Sequence, residues 1–143
     1  MPATPDDVLV GFRSWWNAQP EMRRLCPGGL HFGFPPQSAR SPYAKVEVLS
    51  AGVETNASKV YRETFAVTVT VFGVLPDPLR NERGHILQRL DRSRTLAVPK
   101  ADSVLLVKPV DAKLTPEADQ RAGQNAVTQI GAWSILCQQT RIN

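Results

Sequence analysis

The chain has little of what most active sites are built from. Its 143 residues contain only 2 cysteines and 2 histidines. Cys26 and Cys137 lie far apart, and neither has a second thiol or a histidine at ligand spacing, so both are expected reduced and buried rather than bridged or metal-bound. Arg23 and Arg24 would favour a thiolate at Cys26, but no flanking signature or oriented histidine accompanies it. His31 and His85 have no partner that would make a ligand pair or a general base. No Gly-x-Ser-x-Gly elbow occurs, and Pro27-Gly28-Gly29 is not followed by a phosphate-binding glycine pattern, so it reads as a loop. The acidic pairs Asp6/Asp7 and Glu117/Asp119 fit a helix cap and a solvated loop. The expectation is a protein without catalytic residues, metal or cofactor.

Long hydrophobic runs are also missing. Stretches such as Val104 to Val107 fall far short of the roughly 20 residues a bilayer helix needs. The opening Met1-Pro2-Ala3-Thr4-Pro5-Asp6-Asp7 lacks the early positive charge of a secretory signal, so no membrane association is expected. At 42% hydrophobic and 21% charged, the composition is that of a packed globular chain, and its length suits a single domain spanning 1–143. A net charge of +4 permits contact with nucleic acid or an acidic protein surface without requiring either.

What is present is a clear hydrophobic pattern. Thr4, Pro5 and the two aspartates form a helix start, and Val8, Leu9, Phe12, Trp15 and Trp16 recur at helical spacing as one apolar stripe, with Pro20 ending it or opening a short second turn. Leu30 to Phe34 reads as a short strand, and Tyr43 to Leu49 alternates Ala44, Val46 and Val48 against Lys45 and Glu47. Ser50 to Ser58 is small and polar and reads as a long loop. From Tyr61 to Phe72 the alternation of Phe65, Val67, Val69 and Val71 marks the sheet's central strand. Asp77-Pro78 suggests a second helix start. Leu79, Ile86, Leu87 and Leu90 form that helix's apolar stripe, and Arg83 projects onto it and is expected to snorkel. Ser103 to Lys108 and Ala126 to Gln139 are the last strands, separated by a polar loop from Pro109 to Asn125. The fold class this gives is α+β, a mostly antiparallel sheet of about four to five strands with two helices on one face.

Two surfaces stand out. The final strand is partly apolar on both faces, which calls for a covering layer on each side, one of helices and the other of a neighbouring subunit. On the second helix His85, Arg89 and Arg92 project together opposite the apolar stripe, a face that can meet phosphate or another subunit. No aromatic residues interleave there for base stacking, which favours a solvated or intersubunit face.

Leu30-His-Phe-Gly-Phe34 followed by prolines, Ser41-Pro42-Tyr43 opening a strand, the Phe65 to Phe72 strand ending in Val71-Phe72-Gly73, Ile86-Leu87 to Leu90-Asp91, and Ala132-Trp133-Ser134-Ile135 occur in a set order. In that order the chain resembles the tail-terminator-like and minor capsid (head–tail joining) proteins of long-tailed bacteriophages and prophages, over nearly its whole length. The resemblance implies a homo-oligomeric ring, commonly sixfold, at the head-proximal end of the tail tube. The ring stops tail growth, contacts the tail tube protein and a head connector or neck protein, and passes DNA through its channel without specific binding. It places the protein in the virion, and in the host cytoplasm during assembly. Such a ring needs a heterologous interface that closes. Its expected contact residues are Ser50, Gly52, Glu54, Asn56 and Lys59 of the polar loop, His85, Arg89 and Arg92 of the basic helix face, and Trp133 of the last strand. A DNA channel avoids a cationic lining, so the arginines are expected to face outward or into subunit contacts, or the role shifts to a head–tail connector. The alternatives are a nucleic-acid-binding module and a small ligand-binding protein or enzyme.

Overall fold

The computed structural model describes residues 3–33, 40–55, 60–74, 76–92, 96–111 and 126–140. In chain order the elements are α1 (Pro5–Asn17), α2 (Met22–Leu25), β1 (Leu30–His31), β2 (Tyr43–Thr55), β3 (Val60–Gly73), α3 (Arg80–Gln88), a 3-10 turn (Arg89–Arg92), β4 (Ser103–Asp111) and β5 (Ala126–Thr140). The strands form one sheet in the order β1-β2-β3-β5-β4. β1 runs parallel to β2 through Leu30↔Ala44 and His31↔Lys45, and every other pairing is antiparallel. This is an α+β fold, with β3 at the centre of the sheet.

α1 begins where the sequence says it should. Asp7 reaches back to accept hydrogen bonds from the Thr4 amide at 2.8 Å and the Thr4 hydroxyl at 3.0 Å, and Pro5 occupies the first turn. The helix buries Val8, Phe12, Trp15 and Trp16. Phe12 meets Trp133 of β5 with ring centroids 6.4 Å apart, which ties the helix to the sheet. Opposite these residues, Ala44 and Val46 of β2, Phe65, Val67, Val69 and Val71 of β3, and Ile135 and Cys137 of β5 are fully buried. The alternation in β3 is therefore real, with its odd-numbered residues facing the helices.

Several expectations are corrected. Ser50 to Thr55 is strand rather than loop. β2 continues to Thr55, pairing Gly52 with Thr64 and Glu54 with Arg62 after a bulge at Ala51. The bulge absorbs one residue and lets the pairing run on, so β2 and β3 continue together as an arm that β5 flanks along β3 as far as Thr140. The first short strand covers only Leu30–His31. α3 starts at Arg80, not at Asp77-Pro78, because the Asp77 carboxylate is committed to Arg83 instead of capping the helix. Nor does Arg83 snorkel, since it is fully buried. Among the described residues the two expected helices are joined by α2, the short turn anticipated after Pro20. The expected loop from Pro109 begins later, as β4 runs to Asp111; 112–125 lie outside the described residues.

The two lateral edges of the sheet differ. β4 carries Pro109 and two register breaks, which leave Leu105 and Val110 unpaired with β5 and exposed. Bulges and proline discourage a further strand from adding to an edge. Among the described residues β1 pairs with β2 only at Ala44 and Lys45.

Candidate functional site

One face of the sheet is packed and the other has no layer over it among the described residues. In an antiparallel pair, directly opposed residues share a face. The register therefore places Leu49, Ala66, Ser134 and Lys108 in one row and Thr64, Leu136 and Leu106 in the next. A third row holds Glu47, Thr68 and Ala132, and a fourth Lys45, Thr70 and Ile130. The central residues of these rows are all partly exposed, while Leu49 at 71% and Leu106 at 53% are open to solvent. Charge is confined to the margins: Lys45 pairs with Glu47 at 2.9 Å on one side, and Lys108 stands on the other. A sheet face with a neutral centre of threonine, alanine, isoleucine and leucine and a charged rim has the layout of a protein interface.

A buried polar knot runs along the arm, from Ser50 to the level of Tyr61. Gln139 of β5 is fully buried; its Oε1 accepts from the Ala3 amide and, at 3.4 Å, from the Tyr61 hydroxyl. Its Nε2 donates to Glu63 at 2.8 Å, and the other oxygen of Glu63 accepts from the Ser50 hydroxyl at 2.9 Å. These bonds link Ala3, β2, β3 and β5 in one network.

At the helical end, ion pairs lace α2 to α3. Arg24 bonds Glu82, and Arg89 reaches Glu21 at 3.3 Å and the Gln19 side-chain oxygen at 3.4 Å. The carboxyl of Glu21 is held below its ordinary value, first by its own backbone amide and then by Arg89. Beneath them Arg83 donates to Gln129 Oε1 at 2.7 Å, to the Leu25 carbonyl at 3.0 Å and to Asp77.

The structure brings only part of the nominated set together. Ser50, Gly52 and Glu54 are exposed on the far half of β2, with Ser50 held by Glu63. Asn56 and Lys59 lie outside the described residues. His85 and Arg89 are exposed at the helical end, but Arg89 is paired, and Arg92 closes the 3-10 turn. Trp133 points the other way: it is 4% exposed, packs on Phe12 and lies across Gly131, so its side chain belongs to the core and not to the uncovered face. Leu49, Thr68, Leu106 and Leu136 were not singled out as contacts from the sequence. The signal for two of them was present, since Thr68 alternates with the buried valines of β3 and Leu136 lies on the second apolar side of β5.

Both cysteines are free and buried, with their thiols pushed up to about 11 chiefly by burial. His31 is partly buried, with Nε2 2.8 Å from the Gly28 carbonyl and its ring edge-on to Tyr43. Among the described residues no three His, Cys, Asp or Glu side chains are grouped to hold a metal ion, and no helix is long and apolar enough to cross a membrane. Compared with protein-family models and with curated proteins, the chain matches none.

Proposed function

We propose that this protein is a structural subunit of a tailed-phage particle that assembles with its own copies into a ring at the head-proximal end of the tail tube. There it ends tube growth and joins the tail to the head connector. The observation that carries the reading is the uncovered sheet face with its neutral centre, extended by the β2–β3 arm. A sheet face that is neutral at its centre and carries exposed leucines at its margins is suited to contact with another protein surface. The covered face belongs to the helices, so a neighbouring subunit has the other face available. The edge of β4, broken by Pro109 and two bulges, is poorly suited to continuous strand addition. Contact through the face and arm is thus the natural route to a heterologous, closing interface. DNA passes through the ring without specific recognition, in keeping with the pairing of Arg24 and Arg89 to carboxylates.

The test is chemical cross-linking of intact particles from an induced lysogen, read by mass spectrometry. Lys45 and Lys108 flank the uncovered face and supply the reactive amines. Cross-links from them to a second copy and to the tail tube protein are the expected result. Cross-links only to portal-proximal proteins would move the subunit into the head–tail connector, and absence from particles would overturn the structural reading.

A further inference from the structure

Arginines crowd the end of the molecule where the helices meet, and their partners divide them. Arg24, Arg83 and Arg89 each have a carboxylate, in Glu82, Asp77 and Glu21. Arg13 on α1 and Arg23 on α2 form no ion pair among the described residues. Both line the same cavity, of about 450 Å³, between the end of α1, α2 and β1. Pro27 and Leu30 give it accessible apolar surface, above the nearly buried Trp16, Met22 and Cys26.

The guanidinium of Arg13 is set in place. Its Cζ lies 3.7 Å over the ring of Phe32, which fixes the plane of the group and leaves N–H donors at its edge for a forked contact. The negative end of α1 does not supply the missing counter-charge. Its last carbonyls already accept from the Ala18 and Gln19 amides and, at Trp15, from the Gln19 side chain at 3.3 Å. A recess of this volume lies in the range that takes a small ligand. A nucleic-acid backbone is matched by a strip of cations, whereas these two arginines line one hollow.

We propose that this cavity binds an organic anion, a carboxylate or phosphate group carried on a flat apolar body. The anion lies against Arg13 and Arg23, and the body rests on Leu30 beside the edge of Trp16. This assignment is independent of the virion reading. The anion can be a free small molecule or an acidic residue beside an aromatic one on a docking protein, and the experiment separates these sources.

The probes are benzoate and phenyl phosphate for the first source and the acetylated dipeptide amide Glu-Phe for the second, with benzyl alcohol as the uncharged control. Binding to the full chain is followed by calorimetry and by the NMR signal of the Trp16 indole. Expected is saturable binding of at least one anionic probe, the tighter class identifying the source, and affinity about tenfold weaker in Arg13→Gln and in Arg23→Gln. Both side chains are exposed, so these variants should fold. Arg62→Gln, at the far end of β3, should bind as the parent does. Equal affinity in the Arg13 and Arg23 variants, benzyl alcohol binding as tightly as the anions, or capture of a short DNA duplex without saturable binding of any probe would each overturn the proposal.

Discussion

Gln129 accepts a hydrogen bond from Arg83 Nε at 2.7 Å, and both side chains are completely buried. The pair is the centre of a tie between β5 and the helices, because Arg83 also holds the Leu25 carbonyl and Asp77, and Gln129 Nε2 donates to the Arg80 carbonyl at 3.1 Å. Arg83→Met keeps much of the volume but leaves the Asp77 carboxylate nearly buried without its cation. Removing one partner of a buried pair costs about 3–5 kcal/mol, so the urea midpoint should fall sharply. A double-mutant cycle with Gln129→Leu should show coupling, as the two residues share one network.

Gly11 reverses the usual rule for helices. Alanine in a helix interior is normally favoured over glycine by about 1 kcal/mol. Here a Cβ at position 11 would overlap the Ala97 carbonyl oxygen, a backbone atom that cannot swing aside. Gly11→Ala should therefore lower the urea midpoint, and an increase would show that the chain near Ala97 yields easily.

The thiols set an alkaline limit. Burial is the main cause that raises Cys26 and Cys137 from 9.0 to about 11, opposed at Cys26 by the charge of Arg83 and reinforced at Cys137 by Glu63. Between these values the unfolded chain has released thiol protons that the folded chain keeps. The folded state then binds more protons, and stability falls as pH rises. The contribution is complete below about pH 9 and lost toward pH 11. Urea midpoints at about pH 8 and about pH 10 should drop more for the parent than for a Cys26→Ala/Cys137→Ala variant.

Charges on the uncovered face should separate assembly from folding. Leu49→Glu and Leu106→Glu alter side chains already in solvent, so each should change stability by no more than about 0.5 kcal/mol. If this face joins copies, either substitution should abolish self-association in sedimentation and tail capping in assembly assays. Unchanged assembly would place the contact elsewhere.

The local patterns were legible and the long-range ones were not. Phe65, Val67, Val69 and Val71 identified the central strand because a single buried face imposes a period of two. Thr4, Pro5 and Asp7 located the start of α1 because a cap is built from neighbours. Ser50 to Thr55 misled because serine, glycine and threonine suit a loop; the partners that make this stretch a strand, Thr64, Arg62 and Tyr61, are specified by pairing and not by its own composition. Arg83 misled in the same way. On a helical wheel it is a cation on an apolar stripe, and the groups that satisfy it, Leu25 and Gln129, come from elements remote in sequence. The uncovered face was half visible, in the apolar second side of the last strand. Trp133, expected at a contact, lies on the core side of that strand against Phe12, a partner from a remote helix.

The central position of β3 bears on the order in which the molecule can be made. Its first neighbour, β2, joins it across a short connection, Thr55 opposite Tyr61. Its second neighbour, β5, is the last strand, with Val60 opposite Thr140. A nascent chain leaving the ribosome therefore carries the β2–β3 hairpin with one side unzipped while α3 and β4 are still being synthesised. Non-local pairing of this kind is slow, and an open strand edge is prone to stick to other chains. Phe65, Val67, Val69 and Val71 gain their full cover only after β5 emerges, so the interval before that strand appears is when the chain is most open to wrong pairing.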